Sequence, residues 1–245
     1  MNLVVDVGNT RIKLAVYESN TLLELFVATQ ETFNEILKRI SNQYVLENAI
    51  VSSVAEIPLD LGNYTENIST LIHLNSKTKI PFNNRYETPE SLGVDRMALV
   101  AAAVTQFPHQ NILVIDAGTC ITYDIVSTQK EYFGGAISPG LEMRLKALHT
   151  FTNKLPLLPL KDEEFLIGNN TKNSLYFGVI NGVVAEIEGF IAHFAKENEN
   201  LTVVLTGGDT IFLAKRLKNS IFANSNFLLE GLNSILEYNL KFKNE

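Results

Sequence analysis

Two short stretches of this chain put an acid, a glycine and a hydroxyl at the end of an apolar run. Leu3-Val4-Val5-Asp6-Val7-Gly8 continues into Asn9-Thr10, and Leu113-Val114-Ile115-Asp116-Ala117-Gly118 continues into Thr119. Such a combination suits a phosphorylated ligand. Glycine lets the backbone come close, and successive N–H groups of a tight turn form a cradle for an anion. A carboxylate suits a cation or its water shell, and a hydroxyl or lysine suits phosphate oxygens. After the first turn, Arg11-Ile12-Lys13 alternates, so Asn9, Arg11 and Lys13 share one strand face. One such turn is weak, because Asp and Gly are common turn formers. Two at matching places are more specific.

A third stretch, Tyr86 to Arg96, reads YETPESLGVDR and enters an alanine-rich helix. Asp95 falls at or near that helix's N-terminus. Taken alone it reads as a capping acid, and Arg96 as a solvated neighbour. Gly168-Asn169-Asn170-Thr171 precedes another helical pattern, with Thr171 a candidate N-cap. Gly134-Gly135 and Ser138-Pro139-Gly140 read as a loop into a helix from Leu141, more architectural than catalytic. The four histidines and the lone Cys120 are far apart and form no zinc spacing.

These residues need elements to hold them. Leu113 follows Leu3 by 110 positions, too long a period for a solenoid and suited to two similar α/β domains. Both copies show alternation on either side of the turn, which reads as strand, turn, strand. Helical spacing marks 32–41, 95–105, 141–148, 174–196 and a start near 210. Apolar runs mark strands at 48–54 and 201–205. Interleaved strands and helices predict the α/β class, with domains at 1–110 and 111–245. The 46% hydrophobic content of 245 residues is ordinary for a globular chain. A net charge of −7 disfavours nucleic acid and acidic membranes. One cysteine fits a reducing cytoplasm, and the longest uncharged apolar run, around Met97 to Val104, falls far short of the ~20 residues that cross a bilayer. Neither GxxxxGK[ST] nor GxGxxG occurs.

Paired DxGxT hairpins in duplicated halves resemble the actin, sugar-kinase and acetate-kinase superfamily. That likeness implies two RNase H-like domains with ATP in a central cleft. Within it, DVGNTRIKLAV, YETPESLGVDRMALVAAA, DAGTCITYDIV, GGAISPGLEMRLKALHTFTNKLPLL and GNNTKNSLYFGVINGVVAEIEGFI together resemble type III pantothenate kinase. The likeness implies ATP-dependent phosphorylation of pantothenate to 4′-phosphopantothenate, the first step of coenzyme A biosynthesis. It makes Asp95 the proton acceptor and puts Asp6, Val7, Gly8, Asn9, Thr10, Arg11, Ile12, Lys13 and Thr119 at ATP. Tyr86, Gly93, Val94, Asp95, Arg96 and Thr171 fall at pantothenate, with Thr171 supplied across a homodimer. Asp116 matches the ligand of a monovalent cation, K⁺ or NH₄⁺, and Mg²⁺ comes with ATP. Cys120 departs from the usual alanine and is expected to pack as a small hydrophobe. Two alternatives stand beside this reading: a sugar or small-alcohol kinase of the same superfamily, and a nucleotide-binding regulator like the Bvg accessory factors.

Overall fold

The computed structural model describes residues 1–8, 11–53, 68–163 and 167–243. The chain divides into two compact units. Unit 1 holds 1–108, 130–132 and 227–245, and unit 2 holds 109–129 and 133–226.

Unit 1 begins with β1 (Asn2–Val7), β2 (Ile12–Glu18), β3 (Thr21–Ala28), α1 (Phe33–Gln43), β4 (Asn48–Ser53) and β5 (Thr70–His73). The strands order β3-β2-β1-β4-β5. β1 is antiparallel to β2, with Val7 opposite Ile12, and parallel to β4. Every residue of β1 but Asp6 is buried. Strand alternation sends Leu3, Val5 and Val7 to one face, where Phe33, Leu37 and Ile40 of α1 cover them. Then come β6 (Asn83–Asn84), a 3₁₀ turn at Pro89–Ser91, and α2 (Val94–Gln106).

Unit 2 repeats the plan with β7 (Ile112–Ala117), β8 (Cys120–Val126), β9 (Glu131–Pro139), α3 (Leu141–Thr150), α4 (Thr171–Glu197), β10 (Thr202–Thr206), α5 (Thr210–Ala214) and β11 (Phe222–Ala223). Its strands order β11-β10-β7-β8-β9, the counterpart of β5-β4-β1-β2-β3. β7 is antiparallel to β8 and parallel to β10, as β1 is to β2 and β4. The second hairpin closes Ala117 on Ile121, one residue tighter than the first. That difference is the one-residue gap between the two sequence copies. α4 is long and apolar enough to cross a membrane by length and composition, against the expectation that no segment reached that length. Its Tyr176, Val179, Ile180, Val183 and Ile187 are core residues of unit 2.

The α/β class and the two RNase H-like sheets are as expected. The chain's last helix is not where a cut at residue 110 puts it. α6 (Phe227–Lys243) follows the second half in sequence yet packs on α2, β1 and β4 of unit 1. A Cβ on Gly231 would overlap the Ala98 carbonyl, so glycine and alanine let the two helix backbones touch. Asn2 Nδ2 donates to Asn233 Oδ1 (3.0 Å) and to Glu237 Oε1 (2.7 Å), and Asn233 Nδ2 donates to the Ser19 carbonyl (2.8 Å). Gly134 and Gly135 also depart from their reading as loop residues: they lie inside β9. Gly134 has φ 106°, and a Cβ on Gly135 would overlap the Tyr123 carbonyl of β8, so side chains are excluded there.

Candidate functional site

In unit 1, β1 carries Asp6 at the edge of the core and then turns. Gly8 N donates to the Arg11 carbonyl (3.1 Å), closing the hairpin; Asn9 and Thr10, expected at ATP, lie outside the described residues. Val7 and Ile12 are buried, so a ligand at this turn meets their backbone rather than their side chains. Arg11 is exposed and Lys13 half-buried directly across from Asp6. Burial pushes the Asp6 carboxyl up to about 6; Lys13 opposes that rise, Asp95 adds to it, and Ser52 lowers it slightly. Ser52 stands opposite Asp6 on β4, fully buried, its hydroxyl close enough to favour the ionised carboxyl.

Asp95 therefore belongs to the same neighbourhood as Asp6. It is not the cap of α2, as the isolated reading had it: Gly93 occupies that position, and Asp95 lies one residue inside the first helical residue, Val94. Its Oδ1 accepts a hydrogen bond from Arg96 N (2.8 Å), and a Cβ on Gly93 would overlap that same oxygen. Glycine at 93 makes room for the carboxylate. A negative charge in the first helical turn is also favoured by the helix dipole.

Arg96, far from a solvated neighbour, is 5% exposed. Its guanidinium carbon lies 5.6 Å from the Tyr86 ring centre and 6.0 Å from that of Tyr132. The two tyrosine rings stack, with centroids 6.2 Å apart. Tyr86, Gly93, Val94, Asp95 and Arg96 thus gather around the entry to α2. Neither Tyr132 nor Ser52 stood out in the sequence, since a strand tyrosine and a strand serine carry no local signal.

In unit 2, Asp116 is the last residue but one of β7, and Thr119 is exposed on the following turn. Gly118 N donates to the Cys120 carbonyl (2.9 Å). Two further backbones brace this turn. Gly140 N donates to the Thr119 carbonyl (3.0 Å) and Asp209 N to the Ala117 carbonyl (2.9 Å). Cβ atoms on Gly140 or Gly207 would overlap the carbonyls of Gly118 and Ala117 respectively. A Cβ on Gly207, which has φ 96°, would also overlap Oδ1 of Asp116. Burial, and then the charge of Glu142, push the Asp209 carboxyl up to about 6. Cys120 is half-buried.

Thr171 opens α4, but the cap is Asn170, whose Oδ1 accepts from Asn173 N (3.0 Å). Thr171 is exposed on a groove of about 930 Å³ with Arg144, Leu148, Phe151, Leu175 and Val179. Arg144 is held there by Glu186 (2.5 Å), which also accepts from Tyr123 and Ser138.

Among the described residues, no three His, Cys, Asp or Glu side chains converge on a site that could hold a metal. A divalent ion beside Asp6 would therefore take most of its ligands from water and phosphate, which is how Mg²⁺ travels with a nucleotide.

Known proteins share this architecture and sequence. The chain is 50% identical to a type III pantothenate kinase from Christiangramia forsetii over 98% of its own length and 99% of the relative's. Among solved structures, a Campylobacter jejuni protein described as a Baf family transcriptional activator matches with TM-score 0.63 at 23% identity, covering 98% of this chain and 99% of that one. A ROK family glucokinase from Streptomyces griseus matches with TM-score 0.50 at 14% identity, covering 97% and 98%. At those identities the two structures speak for the actin-like ATPase fold alone. The family model for type III pantothenate kinase matches residues 2–193; the chain belongs to that family.

Proposed function

We propose that this protein phosphorylates pantothenate at its primary hydroxyl, with ATP as donor, in coenzyme A biosynthesis. Family membership over the whole chain supports the reaction. The observation that carries it to residues is the proximity of Asp95 and Asp6 inside one compact unit. Phosphoryl transfer asks chiefly for positioning and charge neutralisation. Asp95 takes the proton from the attacking hydroxyl. Arg96 pairs with the substrate carboxylate, flanked by Tyr86, Gly93 and Val94. The turn from Asp6 to Lys13 cradles the ATP phosphates.

Asp6 fits a bound Mg²⁺, because a carboxylate that burial makes costly to ionise gains most from a nearby cation. Mg²⁺ supplies charge neutralisation on the phosphates when bound. Asp116 is our candidate for a K⁺ or NH₄⁺ ligand, its carboxylate facing the Gly207 backbone. We assign the working form as a homodimer in the cytoplasm that engages neither nucleic acid nor membrane. In its support, α4 leaves Gly178, Gly182 and Gly189 with open space beside them, and Phe151 is 85% exposed on the groove that holds Thr171. Small residues with open space beside them let a second helix approach closely.

The test is a coupled assay with pantothenate, Mg²⁺-ATP and potassium. Formation of 4′-phosphopantothenate is expected. Turnover of glucose with none of pantothenate would instead favour a sugar kinase, and nucleotide binding without any turnover would favour a regulator.

A further inference from the structure

The residues that the family likeness assigns to pantothenate do not stand unsupported. Arg85 N donates to the Tyr132 carbonyl (2.8 Å) and Asn83 N to the Lys130 carbonyl (2.9 Å), so β6 is pinned to the first residues of β9. The Arg85 guanidinium reinforces the pairing through Glu131 (2.9 Å and 3.1 Å). Tyr86 N, next along, donates to Asn84 Oδ1 (3.0 Å) and turns the chain toward α2. Tyr132 lies at the centre. It is fully buried, packed edge-on against Phe82 at 5.9 Å and stacked on Tyr86, with the Arg96 guanidinium against both tyrosine rings.

We propose that Tyr132 is a positioning residue for the substrate carboxylate: its ring face, stacked on Tyr86, fixes the buried Arg96 guanidinium in the orientation that pairs with pantothenate. A guanidinium is planar and its bidentate fork is directional, so a tilt of the plane weakens the pair even though the charge remains. An aromatic face within about 6 Å attracts the cation and so limits that tilt. The role proposed for Tyr132 belongs to its ring face, which meets Tyr86 and Arg96. It therefore governs how tightly a carboxylate-bearing substrate binds, and leaves the chemical step to other groups. The inference rests on Arg96 being the carboxylate partner.

The test compares KM and kcat for pantothenate and for the analogue whose carboxylate is replaced by a primary amide. Tyr132→Phe should match wild type. Tyr132→Leu should raise the pantothenate KM about tenfold, an order set by the usual strength of cation–π contacts, with kcat little changed. The same variant should leave the KM of the amide unchanged. A series of phenylalanines at 132 carrying zero to three ring fluorines preserves packing where leucine does not fold. Across it the pantothenate KM should climb stepwise as the ring face loses electron density. A flat series, or equal losses for pantothenate and the amide, overturns the role of Tyr132. Arg96→Ala separates the premise. If it raises the pantothenate KM while Tyr132→Leu adds its full factor in that background as well, Tyr132 does not act through Arg96. If Arg96→Ala leaves the pantothenate KM at the wild-type value, the assignment of Arg96 falls, and this proposal with it.

Discussion

Asp6 at the end of β1 and Asp95 in the first turn of α2 stand close enough that the charge of Asp95 helps burial hold the Asp6 carboxyl up near 6. Two acids with a shared neighbourhood are a cost to the fold unless a cation or a proton relieves them. The cost has a pH window. A carboxyl raised from 3.8 to about 6 makes the folded state bind more protons than the unfolded state between those values. Stability therefore falls as pH rises through the window, and the full penalty is present above it.

Asp6→Asn should then stabilise the nucleotide-free protein at pH 8, by up to about 3 kcal/mol for a shift of about two units. The gain should shrink steadily as pH is lowered from 6 toward 4. Activity should be lost in the same variant, since the ATP turn loses its carboxylate. Denaturant melts of both proteins at several pH values check this; a variant no more stable than wild type at pH 8 would mean that Asp6 is not strained.

Asp95→Asn should lower kcat by roughly 10²–10⁴-fold, the usual contribution of a positioned general base. Because Gly93 rather than Asp95 caps α2, stability should change little, by the ~0.3–1 kcal/mol of an acid in a first helical turn. The KM for ATP should stay near wild type. Single-turnover kinetics make the check, and near-full turnover in the variant would end the base assignment.

How far these residues could be read beforehand differs by kind. Asp6, Asp116 and their glycine turns announce themselves because the duplication repeats an acid and a glycine that structural turns need not share. The sheets follow from the same repeat. Gly135, Gly140 and Gly207 are different, since what excludes a side chain at each is a backbone carbonyl from another part of the chain. Tyr132 and Ser52 likewise meet their neighbours on elements distant in sequence. α6 joins unit 1 because Gly231 meets Ala98 across more than a hundred residues, and no local pattern encodes that contact. Thr171 qualifies as a cap candidate, as any hydroxyl before an apolar helix does, yet Asn170 makes the bond.

Gly207→Ala should be a damaging substitution in unit 2. The residue holds φ 96°, where a Cβ is strained, and the added methyl would overlap both the Ala117 carbonyl and the Asp116 carboxylate. Loss of a few kcal/mol is expected for such a conflict. If Asp116 holds K⁺ or NH₄⁺, the variant should also need a higher potassium concentration for half-maximal activity. Gly208→Ala is the matched control, because nothing lies within 4 Å of its would-be Cβ. Equal effects at the two glycines would show that crowding at Asp116 is not the cause.

Gly231→Ala tests the packing that joins the C-terminal helix to unit 1. Helix propensity alone favours alanine by roughly 0.8–1 kcal/mol. Against this, the new Cβ would overlap the Ala98 carbonyl and press on the Ala102 methyl, so α6 must lift off α2. Overpacking of this kind typically costs about 1–3 kcal/mol, and it should outweigh the propensity gain. Lifting α6 also strains the buried hydrogen bonds of Asn233 to Asn2 and Ser19. Pairing the change with Ala98→Gly does not move that backbone carbonyl, so it should restore little. Gly189→Ala in α4, where the would-be Cβ meets nothing within 4 Å, should instead be neutral or stabilising in the monomer. Thermal melts of the three variants decide the matter, and a Gly231→Ala protein as stable as wild type would mean that the α2–α6 contact yields without cost.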